Sequence, residues 1–527
     1  MKVKLRPGTH FVQVSEGLYC ARGDRSFVLK GPPALYEAVD DQLGNLTAGT
    51  DLDSLVAASG GEAARPVWRH VLSTLLSRDV LLDLDRIAAR PAEGETVRFP
   101  DVLSWLESQV PDPYAAFQRL RTATVLVTGP AGPARTSAVR GLRQYGVGAV
   151  LTVAGADLPD LVVRIDDAPV AGGVPAVQVR TSADFGLVST VPAEVSEALA
   201  TRIARWQQTD EDRRSSAPAP MSAVLAGSLA AHQALHLLAG VRPGSGSEAT
   251  IVHSHSLQTD IVELPGAGSE PAPAEADGSE ADGAPEIQAL DTGALTARWT
   301  GIVRLGRDLD LPQLPLALVT ASLLAVPDEA PVLGFGLNRG AAAVSAMLAA
   351  LRRSPVQEGR TAAAGLSRTR WLLDGALRRQ GVEVLAQQPG VELTRDTLGA
   401  PSSICTVWGL LEEYFQVPVR LVGRTAPVTG WHLVSAEHRT SGATLASQWG
   451  QTAVGAAQLA LFATAARVQL GDVLTVQPVE PVGTAVLETA RGERLRELAG
   501  LLPCSGMAVA DPLLRPSGFC WGPVTAG

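Results

Sequence analysis

Within residues 1–85 three short β-rich runs come in close succession, each ended by a polar turn that contains glycine, before any helical periodicity begins. Phe11–Val14, Leu18–Arg22 and Ser26–Lys30 are separated by Ser15-Glu16-Gly17 and Gly23-Asp24-Arg25. Inserts of that size predict a three-stranded antiparallel sheet. Gly31-Pro32-Pro33 stops the third strand and suits a helix start, and Ala34–Leu43 then has helical periodicity. Asp51 is a good N-cap for Asp51–Ala58, and Trp68, Val71, Leu72 and Leu75 recur at i, i+3, i+4, i+7.

Three strands followed by three helices in this order read as a winged helix. The phrasing FVQV…LYCAR…SFVLKGPPALYEAVDDQL…DLDSLVAA…VWRHVLSTLLSRDVLL resembles the PqqD-like precursor-recognition domain of ribosomal peptide-modifying systems. The resemblance implies that a precursor's leader adds a strand to the third strand and packs on the third helix. An edge strand offers unpaired N–H and C=O groups for that mode, and a neighbouring helix supplies side-chain pockets. With Trp68, Leu72 and Leu75 assigned to the core, the groove candidates are Ser26, Phe27, Val28, Leu29 and Lys30 on the strand and Arg65, Arg69, Ser73 and Leu76 on the helix. Lys4, Lys30, Arg65, Arg69 and Arg78 would give one face a basic character suited to an acidic leader. The bland alternative is a DNA-binding winged helix, and the net charge of −10 argues against nucleic acid as a partner.

At 527 residues and 46% hydrophobic content the chain can bury several cores, and it is expected to form two to four domains. No apolar run is expected to approach a membrane span, and the basic Met1–Pro7 is followed by no apolar stretch, so a cytoplasmic location is expected. Cys20, Cys405, Cys504 and Cys520 form no CxxC pair, and they read as packed thiols rather than a disulfide framework or zinc site. His253-Ser254-His255 would share a strand face but lacks a third ligand, so no metal site is expected.

Residues 98–265 read as a second domain. TVLVTGPAGPARTSAVRGLRQYGVGAVLTVAG alternates strand, glycine turn, helix and strand, a βαβ opening, and a late helix (Met221–Gly240) precedes a strand pair near Ile251–Leu264. The layout resembles the ThiF-like fold of partner proteins of azole-forming cyclodehydratases. That resemblance implies a nucleotide loop, and its glycine positions read Gly129-Pro130-Ala131-Gly132-Pro133-Ala134. Ala131 and Ala134 stand where glycines allow close phosphate approach, and Pro133 lacks an N–H. Ala154 stands where the resemblance expects a ribose acid, and Asp157 comes three positions later. The loop at Gly129, Ala131 and Gly132 is therefore read as degenerate, with no cofactor expected, and a homodimer through this domain is the expected self-assembly.

Residues 266–286, rich in Pro, Gly, Ala and acids, read as a disordered acidic linker. In 287–527, PVLGFGLNRGAAAVSAMLAALRR resembles the YcaO pattern in which a glycine-rich strand end leads into SxxxExxER. The resemblance implies glutamates that hold magnesium and ATP phosphates, yet the two positions are Ala349 and Arg352. A second echo, Thr361–Gln380, has Gly375 to Arg379 where acids are expected. The domain is either a degenerate YcaO-like fold or another α/β domain with Ala-rich helices. Leu410–Phe415 reads as a helix with a surface acid pair, and Arg420, Arg424 and Arg439 as a solvated basic face.

The fold class expected is thus α/β multidomain, with a winged helix at 1–86, a ThiF-like domain at 98–265 and an α/β domain at 287–527. The resemblances imply a partner subunit without catalytic residues or metal. It would bind the leader of a ribosomal precursor and present its core to a YcaO-type cyclodehydratase for thiazoline or oxazoline formation, in azole-peptide or thiopeptide antibiotic biosynthesis. The rivals are an ATP-using enzyme in its own right and a DNA-binding regulator.

Overall fold

The structure, a computed structural model, describes residues 1–153, 158–166, 173–208, 220–241, 247–265, 291–307, 311–471, 476, 481–514 and 517–526. It divides into two compact units, Met1–Ser196 with Ser215–Glu263 and Glu197–Arg214 with Leu264–Gly527. The acidic 266–286, Ala154 and Asp157 lie outside the described residues.

The first unit opens with β1 (Lys2–Leu5), then an antiparallel meander of β2 (Thr9–Val14), β3 (Gly17–Arg22) and β4 (Arg25–Lys30). These are the strands that the alternating pattern predicts. Gly17 is required at the β2–β3 reversal, because its φ is +141° and a Cβ there would lie 2.2 Å from the Leu29 carbonyl oxygen. Helices α1 (Ala34–Asp41), α2 (Leu43–Ala48), α3 (Leu52–Ala58) and α4 (Arg65–Ser77) follow, and the Asp51 carboxylate caps α3 at the Ser54 amide. Leu18, Cys20 and Leu29 of the sheet bury against Trp68, Val71, Leu72 and Leu75 of α4. That row is the one the helical spacing picks out. A second small sheet pairs β1 with β5 (Thr50–Asp51) and β6 (Leu81–Asp83).

Polar bonds continue past the boundary expected near residue 86. The Lys4 ammonium lies 2.6 Å from the Glu107 carboxylate, Arg6 donates to the carbonyls of Glu107 and Val110, and Arg22 donates to that of Ser108. All three acceptors lie on or just beyond the helix Pro100–Gln109, which therefore packs as a continuation of the opening module.

The rest of the unit is a seven-stranded sheet. Thr124–Thr128 pairs in parallel with Ala149–Leu151 and Leu161–Ile165, and the latter with Ala176–Thr181. Phe185–Ser189 and Ser247–His253 extend it antiparallel, with Thr259–Leu264 at the edge. Small residues let the helices Pro133–Gln144 and Pro220–Ala239 approach closely: a Cβ on Gly227 would lie 2.1 Å from the Ala134 carbonyl oxygen.

The second unit contains the antiparallel strands Val303–Leu305, Ala317–Leu323 and Val332–Gly336, covered by the helix Arg339–Leu351. A four-stranded antiparallel sheet runs Val391–Leu393, Val419–Thr425, His432–His438, Thr444–Gly450 and packs on Ala453–Leu470. Thr361–Gly365, Cys520–Ala526 and Cys504–Gly506 form a third sheet beside the helix Arg368–Gln387.

Three expectations are corrected here. Pro220–Ala239 and Ala453–Leu470 are both long and apolar enough to cross a membrane, but each buries a face of small residues in a core. Arg420 and Arg439 are not simply solvated: they lie 2.7 Å from Glu437 and 3.6 Å from Glu412. Leu410–Tyr414 is a π-helical turn that continues Ser402–Gly409, and Glu412 accepts from the Trp408 indole rather than standing as a plain surface acid.

Candidate functional site

The strand β4 pairs with β3 alone among the described strands, so its other side is an open edge. The phase of that edge follows from the hairpin. A two-residue reversal at Gly23-Asp24 makes Arg22 and Arg25 a hydrogen-bonded pair, and such pairs alternate along an antiparallel ladder. The Gly31 amide donates to the Glu16 carbonyl, as that alternation requires. Phe27 and Leu29 therefore spend their amide groups on β3, while Ser26, Val28 and Lys30 turn theirs outward.

Side chains alternate as well. Leu29 is buried and Phe27 half-buried against the core, whereas Ser26, Val28 and Lys30 are exposed on the other face. Leu29 is thus core and not groove, because its period places it inward. On α4, Arg69 and Ser73 are exposed, and Leu76 packs against the core. Arg65 lies 2.7 Å from Asp53 and 2.6 Å from Glu62, and its hydrogen bond holds the Glu62 carboxyl below the usual carboxylate range. Lys4 is taken up by Glu107. Of the five cations expected to share one basic face, Lys30, Arg69 and Arg78 are exposed, but Lys30 projects from the face of β4 turned away from the core. Arg78 adds what the spacing did not reveal, since its guanidinium stacks on Phe27 and joins the end of α4 to the edge strand.

The loop Gly129–Gly132 does follow a strand and open a helix. Gly129 has φ +122°, and a Cβ there would lie 2.4 Å from the Ile165 carbonyl oxygen. A side chain straps the loop, however: Arg135 donates to the carbonyls of Gly129 (3.1 Å) and Thr152 (2.6 Å). Pro133 occupies the first helical turn without an N–H. Arg135 and Arg140 with Ala131 and Gly132 line an open hollow of about 670 Å³. Pro133 supplies no N–H to the opening turn, so the loop offers a phosphate one amide fewer than the glycine pattern would.

In the second unit Ser345, Ala349 and Arg352 do share one helix face, and all three line a cavity of about 130 Å³. Thr484 and Glu488 line it too. The Arg352 guanidinium donates to both oxygens of the fully buried Asp374, at 3.0 Å each, and to the Thr484 hydroxyl. Asp374 further accepts from the Ala364 amide and from the Thr484 hydroxyl. Glu488 carries a carboxyl pushed up to about 7, mainly by burial and further by Asp374, with Arg352 pulling the other way. Sequence reading missed Asp374 because it stands just before the segment searched for acids, and missed Thr484 and Glu488 because they come from far along the chain. With an alanine at one expected ligand position and an arginine at the other, these residues do not fit magnesium and nucleotide phosphates.

The Cys20 thiol is buried and the other three are half-buried, all free. His253 lies 3.0 Å from Asp260, and among the described residues no three metal-ligating side chains gather.

No protein-family model matches the chain, and no curated protein matches it. Solved structures do. A heterocyclase in complex with substrate and cofactor has a TM-score of 0.62 at 14% identity, covering 99% of this chain and 94% of that one. The heterocyclase TruD gives a TM-score of 0.53 at 13% identity, with the same coverage. The chain therefore has a multidomain α/β fold similar to that of heterocyclases along almost its whole length. MccB of E. coli aligns with 52% of the chain at a TM-score of 0.36, too low to bear on the fold.

Proposed function

We propose that this chain is a leader-binding partner subunit in azole formation on ribosomal peptides: it holds the leader of a precursor on β4 and presents the core to a separate YcaO-type cyclodehydratase. The observation that carries the reading is the open β4 edge, with the amides of Ser26, Val28 and Lys30 turned outward beside Phe27 and the Arg78 stacked on it. Its β-strand capture mode resembles PqqD-like domains, and the ThiF-like and YcaO-like readings of the other regions agree with a heterocyclase-type fold. Tethering raises the effective concentration of core residues at the partner's active site without chemistry in the tether. Pro133 in the loop, and Ala349 and Arg352 where acids are expected, support a role without ATP turnover in this chain.

The test uses the whole chain. A fluorescent leader peptide from a candidate ribosomal precursor should bind, and mixing chain, precursor and partner enzyme with ATP should remove one water per ring by mass spectrometry. The second reading, a self-sufficient heterocyclase, is favoured by the full-length likeness to a heterocyclase bound to substrate and cofactor. Dehydration of the precursor by this chain alone would establish it in place of the first.

A further inference from the structure

The ion-pair network of the opening module holds one more cation than carboxylates. Arg6, only 4% exposed, shares Asp79 with Arg22, at 3.0 and 2.8 Å, while Lys4 lies 2.6 Å from Glu107. Three cations thus meet two carboxylates, and a charge withdrawn from water needs a partner. The deficit extends to hydrogen bonding, because the buried Nε of Arg6 finds no acceptor among the described residues. Beside this network lies a hollow of about 480 Å³, with Lys4, Arg6 and Glu107 in its lining and Arg90 as a further cation. Arg90 is exposed and makes no hydrogen bond or ion pair with any described residue.

We infer that this hollow is a binding site for an aliphatic carboxylate: a negative charge on a short apolar stem, carried by a glutamate side chain or by a free small acid. Lys4 has three N–H groups and Glu107 takes two of them, so one remains, and the Arg90 guanidinium is wholly unspent. Cations with spare donors suit a carboxylate, whose strongest hydrogen bonds are to charged groups. Glu107 does not oppose this, since Lys4 reaches both its oxygens and the Tyr114 hydroxyl donates to one of them. Leu43 and Leu103 also line the hollow and give the stem an apolar wall. The volume falls within the roughly 300–1,000 Å³ of clefts that take small molecules. No residue of β4 or α4 is in the lining, so the site is separate from the proposed strand capture and does not rest on it.

The experiment is calorimetric titration of the full chain with two probes, N-acetylglutamic acid α-amide for a side chain as a peptide presents it and succinate for a free acid. Sodium chloride at equal ionic strength is the control. At least one probe should bind the native chain, and the tighter of them identifies the source of the carboxylate. Arg90→Gln removes an exposed, unbonded charge and should weaken that binding roughly tenfold or more. Ser104, exposed on the helix Pro100–Gln109, also lines the hollow, and Ser104→Trp should fill it and abolish binding with every charge kept. Melting temperatures report whether each variant is folded, and if Ser104→Trp melts early, Arg90→Gln alone decides. Failure of both probes to bind, full binding by either folded variant, or an equal response to sodium chloride overturns the inference.

Discussion

The guanidinium of Arg78 lies 5.5 Å from the centre of the Phe27 ring, so the end of α4 is fixed directly to the strand proposed to receive the leader. Cation and ring together offer a peptide one apolar wall and one positive charge. Arg78→Ala should weaken binding of an acidic leader several-fold in fluorescence polarisation, with only a small change in melting temperature.

Proline scanning separates the two sides of the strand. Val28→Pro removes an outward N–H and should reduce leader affinity by roughly tenfold or more while the module stays folded, a loss of one hydrogen bond plus a steric clash. Phe27→Pro breaks a bond to β3 instead and should lower the melting temperature. If both variants keep full affinity while folded, the leader is held elsewhere.

Charge reversal should discriminate along α4. Arg69→Glu is expected to repel an acidic leader and to weaken its binding in a salt-dependent way. Arg65→Glu should act mainly on stability, because Arg65 already serves Asp53 and Glu62.

The opening module should not tolerate loss of its link to the helix Pro100–Gln109. Lys4→Met leaves Glu107 in a nearly closed environment, with the Tyr114 hydroxyl still donating to it. Breaking a buried pair in this way costs about 3–5 kcal/mol, which denaturant titration would read as a large drop in midpoint.

Two half-buried groups give opposite pH dependence. Burial, with His232 adding to it, pushes His236 down to about 4, so the unfolded chain binds a proton first as pH falls from 6.5. Stability from this site is complete above 6.5 and is lost on acidification toward 4, on the order of 2–3 kcal/mol. Glu488 is raised to about 7, so its contribution is complete below 4.5 and is lost as pH rises through 7. His236→Phe should flatten the acid limb of a stability profile, and Glu488→Gln the neutral limb.

Much of this is legible in the residues, and the division is physical. The strands of the opening sheet, the α4 core row and the shared face of Ser345, Ala349 and Arg352 follow from local period, which the chain carries within a few residues. What period does not carry is the partner of a charge. Arg65 with Asp53, Lys4 with Glu107 and Arg352 with Asp374 are pairings across distance in the chain, and each turns a cation that looks available into one already engaged. The loss of acids at Ala349 and Arg352 is visible in the sequence, but not that Arg352 is engaged by the buried Asp374.

The outward phase of β4 limits how much of a precursor can matter. Ser26, Val28 and Lys30 span five residues, about 16 Å of extended chain at the usual rise. On the proposed reading, a leader needs only a five-residue word of suitable backbone freedom, with an apolar letter for Phe27 and an acidic one for Arg78. Selection then acts on that word and leaves the flanking leader, and the core it delivers, free to drift. One such subunit could serve a whole set of divergent precursors, provided each kept the same short address.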